Sequence, residues 1–206
     1  MKVLLINGSP HEKGCTYTAL SLIAGELKAQ GIETEILHVG GQPVGGCIGC
    51  GGCRSGNGCV FGDVVNEAIE KAKTADAFVF GSPVHYASAA GNMASFMDRL
   101  AYAGGKYLAY KPAAVCCSAR RAGTTSTLDQ LVKYPQFFHM PLVNGSYWAM
   151  VHGSNPEQVL QDAEGCAVMQ ELGRNMAWLL RCIEAGKAAG IDHPQNPPRP
   201  MTSFIR

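Results

Sequence analysis

Nine cysteines stand in a chain of 206 residues, and four of them crowd one glycine-rich stretch. The run is Cys47-x2-Cys50-x2-Cys53-x5-Cys59, interleaved with Gly45, Gly46, Gly49, Gly51, Gly52, Gly56 and Gly58. Thiols this close can ligate a metal, exchange with disulfides or stay free. A second chemical feature is the segment Asn7-Gly8-Ser9-Pro10-His11-Glu12-Lys13-Gly14-Cys15-Thr16-Tyr17-Thr18, which joins an apolar run to a helical pattern. A helix N-terminus offers unpaired N–H groups and the positive end of the helix dipole, and Ser9, Thr16 and Thr18 add hydroxyl donors. That combination holds a phosphate monoester without a metal. The same Ser, Thr and Gly residues also suit an ordinary turn and cap, so both uses stay open. Neither G-x-x-x-x-G-K-[ST] nor G-x-G-x-x-G follows the first apolar run, which argues against the common nucleotide loops.

Strand and helix patterns alternate around these segments. Lys2–Ile6 is a branched apolar run, expected of a central parallel strand covered on both faces. From Thr16 to Gln30, Leu20, Ile23, Ala24 and Leu27 fall at helical spacing, with Gly31 placed to end the helix. Ile32–Val39 alternates as a more exposed strand. Asp63 is positioned to cap a helix reaching Lys73. Ala77–Phe80 reads as a third strand, followed by the loop Gly81–Gly91 and a helix around Met93–Ala101. Ala113–Cys117 reads as a fourth strand, ending in the polar loop Ser118–Thr125. Leu142–Trp148 is a fifth candidate, and Asn155–Ala189 holds one long helix or two. Such alternation predicts an α/β fold, a flavodoxin-like doubly wound five-stranded parallel sheet in the order 2-1-3-4-5 with helices on both faces. Ligands of such sheets sit at the carboxyl ends of strands 1 and 3, where the three polar loops gather. The expected division is one domain over residues 1–190 and a Pro-rich tail over 191–206.

Composition narrows the partners. Hydrophobic residues make up 47% and charged residues 16%, too apolar for a disordered chain. The net charge of +1 offers no basic field for nucleic acid or an anionic membrane surface. No stretch approaches the roughly 20 apolar residues of a membrane span. The N-terminus lacks a secretory pattern, so a reducing cytoplasmic setting is expected, in which thiols outlast disulfides.

The loop residues carry a resemblance. KVLLINGSPHEKGCTYTAL is similar to the opening of the NADPH-dependent FMN reductase family of the flavodoxin-like superfamily, a strand followed by G-S-P-R-x-x-G-N-T and a helix. Gly8, Ser9, Pro10, Gly14 and Thr16 are kept; His11 replaces the usual Arg and Cys15 the usual Asn. Gly81-Ser82-Pro83-Val84-His85-Tyr86 resembles the family's G-S-P-V-Y-Y loop around the flavin ring, and Ser118–Thr125 its third flavin loop. The resemblance implies FMN contacts from Ser9, His11, Gly14, Cys15, Thr16, Tyr17 and Thr18, from Ser82, Pro83, Val84, His85 and Tyr86, and from Ser118, Ala119, Arg120 and Gly123. Arg120 and Arg121 have three uses: as solvated charges, beside the flavin's N1–C2 end, or against the nicotinamide cofactor's extra phosphate. Asp98 and Arg99, in the helix after the second loop, read as structural.

The spacing of Cys47, Cys50 and Cys53 resembles the ligand run of bacterial ferredoxins, and iron–sulfur flavoproteins within the same family carry it too. A [4Fe–4S] cluster, free or disulfide-forming thiols, and zinc are the three occupancies that result; zinc more often takes two separated pairs. The resemblance implies an FMN-dependent NAD(P)H oxidoreductase in which flavin N5 accepts the hydride and no side chain acts as an acid or base. Its acceptor would be a quinone, an azo or nitro compound, free flavin or a redox protein. The alternative is an iron–sulfur flavoprotein carrying electrons between FMN and a cluster on Cys47, Cys50, Cys53 and Cys59. A homodimer or homotetramer is also implied.

Overall fold

The computed structural model describes residues 1–203. Five parallel strands run in the expected spatial order. These are β1 (Lys2–Asn7), β2 (Glu33–His38), β3 (Ala77–His85), β5 (Ala113–Ala119) and β6 (Met150–His152), arranged β2-β1-β3-β5-β6. A sixth, β4 (Ser88–Ala89), folds back antiparallel on the end of β3. The helices are α1 (Cys15–Ala29), α2 (Val64–Thr74), α3 (Gly91–Gly104), α4 (Thr124–Phe137), α5 (Pro156–Val159) and α6 (Ala163–Ala188).

The continuous apolar character of β1 follows from burial on two sides. Leu4 and Ile6 pack with Val65, Ile69, Met93, Phe96 and Leu100 of α2 and α3. Val3 and Leu5 face the other way, against Leu20, Ile23 and Leu27 of α1 and Met169, Leu172 and Met176 of α6. With a period of two residues per strand, neither face can be polar. Asp63 caps α2 as expected, its carboxylate accepting from the Val65 N–H at 3.1 Å. Helix α6 lies close on α1, because a Cβ on Gly173 would stand 2.8 Å from the Ile23 carbonyl oxygen.

Two segments differ from the sequence expectation. The stretch Leu142–Trp148 is not the fifth strand. Only Leu142 bridges to Ala113, and the ladder resumes at Met150. Between them α6 takes the backbone away from the sheet: the Ser146 N–H donates to Glu171 Oε2 at 2.6 Å, and Asn175 donates to the Asn144 carbonyl at 2.8 Å. The second loop is largely strand. β3 continues through Gly81-Ser82-Pro83 to His85 and turns back at Tyr86-Ala87.

The Pro-rich tail lies on its own chain. His193 stacks on Tyr110 at 4.3 Å, Tyr110 stacks on His139 at 5.3 Å, and Asn196 donates to the Tyr110 hydroxyl at 2.7 Å. The tail's last three residues lie outside the described part. No helix among the described residues is long and apolar enough to cross a membrane.

One stability prediction arises here. Gly25 is inside α1 with open space around the position of a Cβ. Gly25→Ala is expected to raise unfolding free energy by about 0.5–1 kcal/mol, because alanine removes unfolded-chain freedom without a clash. Urea denaturation would check it; a destabilised variant would mean a partner occupies that space.

Candidate functional site

The first loop climbs from the end of β1 to the start of α1. Its folding is local. The Asn7 side chain donates to the Glu12 carbonyl at 2.9 Å and accepts from the Ser9 N–H at 3.1 Å. Ser9 Oγ accepts from the His11 N–H at 3.1 Å, which leaves its own hydroxyl proton free to donate. The N-cap residue of α1 is Gly14, with no side chain to close the first turn. The first helical bond runs from the Thr18 N–H to the Gly14 carbonyl at 3.0 Å. The amides of Cys15, Thr16 and Tyr17 therefore emerge from the helix end uncapped. The Thr18 hydroxyl donates to the Gly14 carbonyl at 3.2 Å and is thereby engaged. The Cys15 thiol turns away to the Gly153 carbonyl at 3.5 Å, and burial pushes its pKa up. Its backbone N–H remains on the loop side. The His11 side chain is exposed.

The three polar loops meet. The Gly8 N–H donates to the Gly81 carbonyl at 2.9 Å, joining the first to the second. Thr16 Oγ1 and Ser118 Oγ, both buried, share a hydrogen bond of 2.8 Å between the first and third. One hydroxyl proton of that pair is left over to donate outward. Ser126 donates to the Ala87 carbonyl at 2.6 Å, and a Cβ on Gly123 would stand 2.8 Å from Val84 Cγ1, so the second and third also touch. Gly123 has φ +93°, a conformation glycine adopts without strain.

Within the second segment, Ser82 is fully buried and spends its hydroxyl on structure, accepting from the Ala90 N–H at 3.0 Å and donating to the Pro83 carbonyl at 2.9 Å. Pro83 pairs in register with Ser118, and Val84 with Ala89. His85 and Tyr86 are exposed, Tyr86 wholly. Tyr86 and Ala87 take φ of +50° and +58°. Such a two-residue hairpin turn favours Asn-Gly, so Tyr-Ala there carries strain of about 1–2 kcal/mol per residue. Ala119 is buried, while Arg120 and Arg121 are exposed.

A fourth segment, unforeseen from sequence, closes on the first loop from the β2 side. The His38 ring nitrogen Nε2 sits 2.8 Å from the Ser9 carbonyl, and the Val39 N–H donates to the Asn7 carbonyl at 2.9 Å. Asn92 of α3 fastens this stretch, donating to the Gly40 and Gln42 carbonyls at 3.2 and 3.0 Å.

The cysteine run lies across α2 and α3. Cys47, Cys50, Cys53 and Cys59 line one cavity of about 30 Å³ together with Phe61, Arg99 and Tyr102. Cys53 sits in a short 3₁₀ turn, Gly52–Ser55, entered through Gly51 at φ +73° and left through Gly56 at φ +83°. All nine cysteines are free. Among the described residues no three His, Cys, Asp or Glu groups stand close enough to share a single metal ion. Four thiols around one cavity form a soft donor set of the kind iron–sulfur clusters and zinc both take.

Cys59 is held on both sides. Asn66 accepts from its N–H at 2.7 Å and donates to its carbonyl at 2.8 Å. Arg99 of α3 is fully buried, pairs with both carboxylate oxygens of Asp63 at 2.7 and 2.8 Å, and donates from Nε and Nη2 to Cys59 Sγ at 3.2 Å each. Sequence reasoning missed this group. The available signal was that Asp98 and Arg99 are the only charges in an otherwise uncharged helix.

The Arg99 guanidinium holds the Asp63 carboxyl below its usual range. A lowered folded pKa means that this stabilisation is complete at neutral pH and is lost as pH falls below about 4. Asp63→Asn is expected to flatten the acid limb of a plot of Tm against pH below about pH 5. An unchanged limb would count against the pair.

Among known proteins, a sequence profile described as NADPH-dependent FMN reductase matches residues 1–155. An iron–sulfur flavoprotein of Methanocaldococcus jannaschii is 28% identical over 192 residues, covering 89% of this chain and 100% of the relative. The structure of RosB with bound 8-demethyl-8-formylriboflavin-5'-phosphate aligns with a TM-score of 0.71 at 15% identity, over 100% of this chain and 94% of that one. A flavodoxin from the domain Archaea aligns with a TM-score of 0.60 at 14% identity, over 88% of this chain and 99% of that one. These structural likenesses establish a flavodoxin-like fold.

Proposed function

The chain belongs to the NADPH-dependent FMN reductase family and is a flavin-dependent oxidoreductase; we propose that it draws electrons from NADH or NADPH through FMN and passes them to a [4Fe–4S] cluster on Cys47, Cys50, Cys53 and Cys59. FMN, when bound, supplies the conversion of a two-electron donor into single-electron steps. The protein's own part is placement. The uncapped amides of Cys15, Thr16 and Tyr17, with the Ser9 hydroxyl, form the cradle suited to the phosphate. Val84, His85, Tyr86, Ala119, Arg120 and Gly123 line the rim beyond it, and Ser82, Thr16 and Ser118 hold the rim from beneath.

The single observation carrying the cluster is that four cysteines from one loop line one cavity, one of them receiving two N–H bonds at sulfur. The relative of M. jannaschii named an iron–sulfur flavoprotein points the same way. A one-electron redox protein then becomes the natural acceptor, and a homodimer or homotetramer the working assembly.

The test is anaerobic purification with FMN, iron and acid-labile sulfide quantified per chain, followed by steady-state oxidation of NADH and NADPH. The expected result is about one FMN and about four irons per chain. Flavin without iron after reconstitution with ferrous iron and sulfide would leave a flavin-only reductase with a thiol loop. A protein that binds no FMN would sink the whole assignment.

A further inference from the structure

We propose that Arg99 is a positioning residue for the cysteine cluster and sets its reduction potential through the hydrogen bonds it donates to Cys59 Sγ. The proposal rests on the cluster assigned above. A buried cation is costly unless its donors are matched. Here the guanidinium is fully buried, its Nη1 reaching the Gly45 carbonyl at 3.2 Å and Asp63 Oδ2 at 2.7 Å, its Nη2 reaching Asp63 Oδ1 at 2.8 Å. It also lies 4.5 Å from the centroid of the Phe61 ring. The remaining directions, from Nε and Nη2, converge on one sulfur.

An ion pair with Asp63 would satisfy a purely structural arginine. Two further N–H groups aimed at one cysteine of a ligand set have a second consequence. A [4Fe–4S] group carried by four thiolates is an anion, and the electron it receives from reduced FMN adds one more unit of negative charge. Donors at a ligating sulfur stabilise the reduced form more than the oxidised one and raise the potential. The low dielectric around a buried group strengthens that preference. Asn66 fixes the Cys59 peptide by two hydrogen bonds, so the sulfur cannot readily drift from the guanidinium. Arg99 thus directs two N–H dipoles at the Cys59 corner of the cavity and favours electron flow from FMN to the cluster.

The experiment uses full-length protein carrying FMN, reconstituted anaerobically with ferrous iron and sulfide. The midpoint potential of the cluster is read by redox titration with EPR detection. Arg99→Gln is expected to lower the potential and change the EPR line shape, and Arg99→Lys, which keeps a cation but cannot supply two forked donors, to lower it less. Asp63→Asn is the control for stability: it weakens the ion pair and lowers Tm, yet leaves the donors at sulfur, so the potential should move far less than in Arg99→Gln. Arg99 variants with about four irons and an unchanged potential overturn the proposal. So does an Asp63→Asn shift as large as that of Arg99→Gln. Folded Arg99 variants that take up no iron would make the residue one of assembly and overturn its potential-setting role. An unsubstituted protein that takes up no iron instead defeats the cluster assignment itself, a result separable from the others.

Discussion

Gly40→Ala is expected to weaken flavin binding sharply. Gly40 is buried directly behind the first loop, and a Cβ there would stand 2.2 Å from the Ser9 carbonyl oxygen and 2.5 Å from that of Gly8. Both obstacles are backbone, so no change of rotamer relieves them. Either the Gly8–Ser9 peptide moves or the Val39–Gly41 strand exit does. The second is tied down by the His38 contact to Ser9 and by Asn92. Overpacking of this kind costs about 1–3 kcal/mol, and here it displaces the residues proposed to hold the FMN phosphate. FMN affinity should fall at least tenfold, about 1.4 kcal/mol, together with a lower Tm. Gly45→Ala is the control. It too lies in the segment after β2, but nothing stands within 4 Å of its Cβ position. Fluorescence titration of FMN against both variants decides the matter; a Gly40→Ala protein that binds FMN like the parent would show that the loop position is unimportant.

Much of this architecture is written into the order of apolar runs. The two-sided burial of β1 left the pattern Val3-Leu4-Leu5-Ile6, and the cap of α2 left an aspartate at Asp63 just ahead of Val64 and Val65. Such signals are local, carried by residues within a turn or a strand of one another. What stayed hidden was made by distant partners. The fifth strand begins later than its apolar residues suggest because Glu171 and Asn175, on a helix downstream, capture the backbone at Asn144–Ser146. The continuation of β3 through Gly81-Ser82-Pro83 goes against the turn propensity of those residues. Pairing with Cys116, Cys117 and Ser118 on one side outweighs it. The site divides likewise. The helix-end cradle was legible as Gly, Ser and Thr at the right place, whereas the fastening of the Gly40 stretch by Asn92 and the Arg99–Cys59 contact join residues 40 or more positions apart.

Cys53→Ala is expected to separate the two redox centres. Cys53 lies half-buried in a surface turn whose entry and exit are made by glycines in left-handed conformations. The turn's shape thus depends on Gly51 and Gly56 rather than on the thiol. Loss of the sulfur should leave folding within about 0.5 kcal/mol of the parent, as for surface substitutions generally. FMN should stay bound, because none of the hydrogen bonds joining the three polar loops involves residue 53. Iron should fall from about four per chain to a small remainder, since one thiolate of the set is gone. Reduction of a small-molecule acceptor by NADH or NADPH would then persist while transfer to a one-electron acceptor collapses. Cys116→Ala should do the reverse. That thiol is fully buried beneath α1 and α6, and burial pushes its pKa far up, so it acts as a packed apolar group. Its removal costs stability on the order of 1 kcal/mol and leaves the iron content unchanged. Iron analysis and thermal melts of the two variants, run side by side, test the division. Equal iron in Cys53→Ala and parent would mean that the loop holds no cluster through that sulfur.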